Sequence, residues 1–249
     1  PYRGAPGLGG GRGEPSLKTP TLALTNPLLA AANISWDFEA LEILNGKRFD
    51  YLRTPTATEL AAYGADPEGE VGIYQFMERT LAEQAELADG TYTLAYGPHG
   101  GVDDWFALLN LGFRYTILGN SDTHGWTETE SGCPRNYVMS SSDDPAALDD
   151  QEIAQAVKEH RVVASYGPFM QMWVNDQPIG SELSSAGAPV TVRIEVQAPT
   201  WMAVDRVELY ENGTLIREWA VPEAGEVLRF QESVELTPAR DAWYVAIAM

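Results

Sequence analysis

The chain has 249 residues, 44% of them hydrophobic, and sets 36 acidic against 16 basic side chains for a formal charge of -20. That is enough for one large domain or two ordinary ones, and so acidic a surface repels nucleic acid and anionic membranes. The single cysteine, Cys133, excludes an intrachain disulfide framework and a thiolate zinc site, and no apolar run approaches the roughly 20 residues of a membrane-spanning helix.

Residues 1–14, PYRGAPGLGGGRGE, are glycine-rich, lack periodicity and are expected to be a loop. FEALEILNG (38–46) has a short apolar run, Leu41, Ile43 and Leu44, closed by Asn45-Gly46, which predicts a buried strand ending in a turn. Residues 69–88 place Ile73, Phe76, Met77, Thr80, Leu81 and Ala85 at three- and four-residue steps, the pattern of an amphipathic helix. A second helix is expected over about 102–111, with Trp105, Leu108 and Leu109 inward and Gly112 as its C-terminal cap. Asp103 and Asp104 are expected to precede it as caps. RYTIL (114–118) and RNYVMS (135–140) read as strands. Asp144-Pro145 predicts the start of a helix that turns Ile153, Ala156 and Val157 inward and ends near His160. VVAS (162–165) is a further strand. This alternation of strand and helix is the signature of a parallel sheet or barrel with helices outside.

The pattern changes at YGPF (166–169). Val190, Val192, Ile194 and Val196 alternate with polar residues, and DRVELYENGTLIREW (205–219) is a hairpin about Asn212-Gly213. VLRF and AWYVAIA add strands, and no helix is evident between 167 and 249. Two domains are expected, residues 1–168 of α/β type and residues 169–249 an all-β sandwich-like domain packed against the first. The chain opens on Pro1 and stops at Met249 within the apolar run AWYVAIAM, as expected of a sequence cut at both ends.

The chemistry concentrates in LGNSDTHGW (118–126), which begins where a buried strand is expected to end. Sites in parallel β/α architectures form at the carboxyl ends of strands. Asp122 and His124 offer an oxygen and a nitrogen donor to a divalent metal, and Glu42, also near a strand end, a third, its plainer role being an outward-facing residue on a half-exposed strand. Gly119 and Gly125 let the backbone turn there. Solvated turns carry the same Asp-x-His triplet, so the placement, not the spacing, favours a metal. His99 in a glycine-rich turn, Arg135 just beyond the loop and Arg3 near the start are candidate substrate contacts, Arg135 for an anionic oxygen. A solvated loop and a salt bridge are their plainer roles. His160, at a helix end, is expected to serve the helix dipole. No nucleophile elbow, phosphate-cradling loop or Cys-His pair points to another catalytic class.

WFALLNLGFRYTILGNSDTH (105–124), GCPRNYVM (132–139) and HRVVASYGPF (160–169) resemble the C-terminal half of a PHP-domain metallohydrolase, of the carbaryl-hydrolase-like branch often called CehA/McbA. FEALEILNG (38–46) is similar to that family's strand bearing a metal-binding glutamate. PYRGAPGLG at the start resembles the segment after an Asn-His-Pro metal histidine, and VDRVELYENG (204–213) the domain after the barrel. The resemblance implies a distorted (β/α)7 barrel, of which this chain holds the later strands, binding two or three zinc, manganese or iron ions. It implies Glu42, Asp122 and His124 as metal ligands, with Asp122 and His124 at the catalytic centre, and places the other ligands before Pro1. The implied activity is hydrolysis of a small phosphate, carboxyl or carbamate ester by a metal-bound hydroxide, with this fragment itself inactive. The alternative is a non-catalytic binding module: a degenerate barrel and a β domain that recognises glycan or protein, with Trp201 and Trp219 as its platform. Acidity and the appended β domain lean toward a periplasmic or extracellular location.

Overall fold

The structure, a computed structural model, describes residues 37–45, 101–125, 131–223 and 225–249. The loop expected over 1–14, the helix expected over 69–88, Arg3 and His99 lie outside the described residues. Those described are mostly β-sheet with few helices.

Strand β1 (Ala40–Asn45) and strand β2 (Thr116–Asn120) pair in parallel, with Asn45 opposite Asn120 at their carboxyl ends. The register shifts between Glu42 and Leu44. A bulge of this kind re-aims side chains, and it lets Leu41 and Leu44, three residues apart, both be buried while Glu42 stays exposed. Helix α1 (Gly101–Asn110) precedes β2. Its described span includes Asp103 and Asp104, expected to precede it as caps.

Helix α1 is apolar on two sides. Leu108 and Trp105 pack with Leu41 and Tyr115, and the Trp105 indole donates to the Tyr115 carbonyl at 2.9 Å. Val102 and Phe106 face the opposite way, toward Tyr210, Trp243 and Val245. Burying each such side chain stabilises by about 2 kcal/mol, so both layers hold the helix. Gly112 ends it with φ +89: its N–H donates to Leu109 and that of Phe113 to Leu108. This is the paired bonding of a Schellman cap, which needs a left-handed residue at that position.

Strand β3 (Arg135–Val138) and strand β4 (Val162–Ser165) run antiparallel. Among the described early strands the expected parallel order therefore holds for β1–β2 only. Asp144 caps a short 3-10 turn, Pro145–Ala147, and helix α2 (Asp150–Lys158) starts later, capped by Asp149. His160, in the left-handed region at φ 61, ends α2 with the same paired bonds, His160 to Val157 and Arg161 to Ala156. The chain reverses there, and the Met139 N–H meets the Arg161 carbonyl. Helix α2 thus returns the chain to the end of β3 at which it left, so β4 must run backwards; a parallel crossover has to return it to the opposite end.

Beyond residue 168, strands β5 (Phe169–Val174), β6 (Gln177–Pro178), β7 (Val190–Gln197) and β10 (Leu228–Leu236) form one antiparallel sheet, in the order β10-β7-β5-β6. Strands β8 (Arg206–Glu211), β9 (Thr214–Ala220) and β11 (Tyr244–Ala248) form the other, in the order β11-β8-β9. Val192, Ile194 and Val196 from β7 meet Val207 and Leu209 from β8 in one buried core. The β8–β9 turn is Asn212-Gly213, both at positive φ (50 and 82), the conformation whose twist matches a hairpin. On the outer face of β8, Glu208 is fully buried, paired with Arg206 Nε at 3.0 Å and accepting from the Tyr210 hydroxyl at 2.6 Å. That face is covered by α1. Asn110 at the helix end donates to the Asn212 carbonyl and accepts from the Trp243 indole.

Candidate functional site

Gly119 is where the early strands converge. A Cβ there would stand 3.2 Å from Leu44 Cβ, 3.2 Å from Pro134 Cβ and 3.4 Å from Ala164 Cβ. The end of β2, the start of β3 and the end of β4 therefore share one edge, and residues 121–125 leave from it. Asp122 adopts φ 54, a left-handed conformation that Asp tolerates better than most residues. It turns the chain so that His124 folds back on it: the His124 Nδ1–H donates to the Asp122 carbonyl. A carbonyl only accepts, so Nδ1 carries the proton. Nε2 is the nitrogen turned to Asp122 Oδ1, 3.6 Å away. Thr123 and Ser131 continue the loop's bonding, Thr123 Oγ1 donating to Ser121 Oγ at 3.0 Å and Ser131 Oγ to Thr123 Oγ1 at 3.4 Å.

This pair suits a divalent cation. Two donors each about 2.1 Å from a tetrahedral ion stand about 3.4 Å apart, near the observed 3.6 Å. A hydrogen bond from the second ring nitrogen to a carbonyl is the usual support of a metal-ligating histidine. Both side chains are open to solvent, His124 at 73% and Asp122 at 51% exposure.

Glu42 lies on the neighbouring strand. Its Oε1 accepts from Asn45 Nδ2 at 2.6 Å and its Oε2 from Asn120 Nδ2. The carboxylate thus touches the residue that opens the loop, two positions before Asp122. Among the described residues no three of His, Cys, Asp and Glu come together as a metal-holding group. The structure joins Asp122 to His124 and Glu42 to Asn120. Arg135 is exposed at the head of β3, opposite Ser165, on the same edge as the loop.

His160 has a structural environment. Its Nδ1 lies 2.8 Å from the Thr116 hydroxyl, which itself donates to the Val157 carbonyl. Burial and the Arg114 guanidinium push its pKa below the usual histidine value, against a smaller upward pull from Glu39. The group expected to sit as a cation at a helix end is held toward its neutral form instead, because it is partly buried beside another cation. The Cys133 thiol faces the Tyr166 carbonyl at 3.5 Å. Trp219 packs on the β core and on Phe230, ring centres 5.4 Å apart, whereas Trp201 is 80% exposed.

Sequence reasoning missed three carboxamides: Asn45 and Asn120, which hold Glu42, and Asn136, which bonds the backbone of Gly119. The only signal was an asparagine at or near the end of each strand beside the loop. Compared with protein-family models, with curated proteins and with solved structures, the chain matches none.

Proposed function

We propose that this chain forms part of a metal-dependent hydrolase of small phosphate or carboxyl and carbamate esters, with the later strands of a distorted PHP-type (β/α) barrel in its first 168 residues. The observation that carries the reading is the Asp122–His124 pair: Oδ1 and Nε2 are 3.6 Å apart at the carboxyl end of β2, with the other imidazole nitrogen tied to a carbonyl. In this reading Asp122 Oδ1 and His124 Nε2 are ligands and Glu42 a further carboxylate donor, to zinc, manganese or iron. The bound cation supplies Lewis acidity and lowers the pKa of an attacking water. The Nδ1–H bond fixes the His124 tautomer and makes Nε2 a better donor. The Glu42 carboxylate exchanges its bonds from Asn45 and Asn120 for that role. Arg135 neutralises an anionic ester oxygen at the same edge.

The test is made on the 249-residue chain and, in parallel, on the product of the entire open reading frame. Metal content is measured by elemental analysis, and phosphate, carboxyl and carbamate esters are assayed. Asp122→Ala and His124→Ala are each expected to lower activity by more than about 100-fold and to reduce bound metal. Unchanged activity in both variants refutes the reading.

One observation favours a second reading, a binding module. Trp201 projects into solvent on a loop pinned by Arg229, whose guanidinium donates to the carbonyls of Pro199 and Met202. Rigid exposed tryptophans suit recognition of sugars or proteins. Glycan or protein binding that Trp201→Ala abolishes, without any ester turnover, identifies this function.

A further inference from the structure

We infer that Asn136 is the positioning residue of the Asp122–His124 loop. Its Oδ1 accepts from the Gly119 N–H at 2.8 Å, and its Nδ2 donates to the Gly119 carbonyl at 2.9 Å. One side chain so satisfies both backbone groups of one residue, as a neighbouring strand would. Among the described residues β2 pairs with β1 and β3 with β4, so no strand ladder joins β2 to β3. Without Asn136, the N–H and carbonyl of buried Gly119 lose these two bonds. The close approach is open only because residue 119 lacks a side chain: a Cβ would already meet Pro134 and Ala164.

The same Nδ2 reaches Asn120 Oδ1 at 3.3 Å. That contact orients the Asn120 carboxamide, turning its Nδ2 to Glu42. Asn136 therefore stands behind both halves of the candidate site. It anchors the strand end three residues before Asp122, and it sets the amide that holds Glu42. The chemistry is specific to asparagine: aspartate has the reach but no donor, and glutamine is longer by a methylene. The role rests on the metal-site reading for its consequence, and on the hydrogen bonds alone for its geometry.

The experiment has two arms on the full chain. Hydrogen exchange of the 119–124 segment is compared in wild type, Asn136→Ala, Asn136→Asp and Tyr137→Phe. The last removes a hydroxyl that donates to the Gly167 carbonyl from the same strand and leaves Gly119 untouched. Asn136→Ala is expected to speed loop exchange by about 10-fold or more. Asn136→Asp, which keeps the acceptor, falls between it and wild type, and Tyr137→Phe leaves the loop unchanged. Equal acceleration by Tyr137→Phe, or none by Asn136→Ala, overturns the inference. In the second arm cobalt(II) is titrated and its visible absorption recorded, with Asn136→Ala expected to weaken binding by about 10–100-fold. Cobalt(II) uptake by neither the 249-residue chain nor the product of the entire open reading frame overturns the metal reading alone, and the exchange arm still decides the role of Asn136. Cobalt(II) binding that Asn136→Ala leaves intact in affinity and spectrum overturns the inference alone.

Discussion

Substituting Gly119 by alanine tests the convergence that builds the candidate site. The new methyl would stand 3.2 Å from Leu44 Cβ, 3.2 Å from Pro134 Cβ and 3.4 Å from Ala164 Cβ. Carbon atoms pack best at about 3.5–4.0 Å, so the methyl crowds Leu44 and Pro134 and presses up to Ala164. All three are Cβ atoms fixed to backbone, on β1, the segment before β3, and β4, and none can swing aside as a side-chain end does. Whole strands must part by a few tenths of an ångström. Overpacking of this kind costs about 1–3 kcal/mol, which for a chain of this length lowers the unfolding midpoint by about 2–12 °C. Thermal unfolding measures the loss. Ala164→Gly removes one of the three neighbours, so the double variant is expected to recover part of it, with a coupling of about 0.5 kcal/mol or more. Gly119→Ala as stable as wild type, or a double variant whose effects merely add, refutes this account of the edge.

Replacing Glu208 by alanine removes the fully buried carboxylate that Arg206 Nε and the Tyr210 hydroxyl meet, and is expected to cost about 3–5 kcal/mol; denaturant titration reads the loss, and Glu208→Gln, which keeps an acceptor, is expected to cost less. His160 has a folded pKa below its unfolded value, so its neutral form belongs to the fold. The unfolded chain takes up a proton first as pH falls through about 6.5, and stability drops from there until the lower folded pKa is passed. His160→Asn, which tolerates the left-handed backbone, is expected to flatten the difference in midpoint between about pH 7.5 and about pH 5. Trp201→Ala is expected to change stability by no more than about 0.5 kcal/mol, and Trp219→Ala to cost about 3 kcal/mol; thermal unfolding of the two variants measures the difference.

The helix over 101–110 was legible because a cap glycine and a three-four apolar rhythm are local signals. Its second buried face was not. Phe106 packs on Tyr210 and Trp243, with ring centres 5.1 and 4.9 Å away, and a one-stripe reading assigns it no layer. The hairpin at Asn212-Gly213 was legible to the residue, since both turn positions need positive φ. The start of α2 was misplaced by several residues: Asp144 and Asp149 are both good caps, and the chain uses the first for a 3-10 turn and the second for the helix.

Local sequence determined which of the described elements form, their bounds to within several residues, and where the polar loop with Asp122 and His124 lies, because helix caps, turn pairs and apolar periods act over a few residues. It also determined that one face of β7 would be buried, since Val190 to Val196 alternate strictly. Only the tertiary structure decided that β4 runs against β3, that Glu42 meets Asn120 across 78 positions of sequence, and that Asn136 stitches the edge at Gly119. These outcomes depend on which chain end a helix returns to and on which backbone groups are left without a ladder. Both are settled by distant segments competing for the same hydrogen bonds, and no local pattern records that competition.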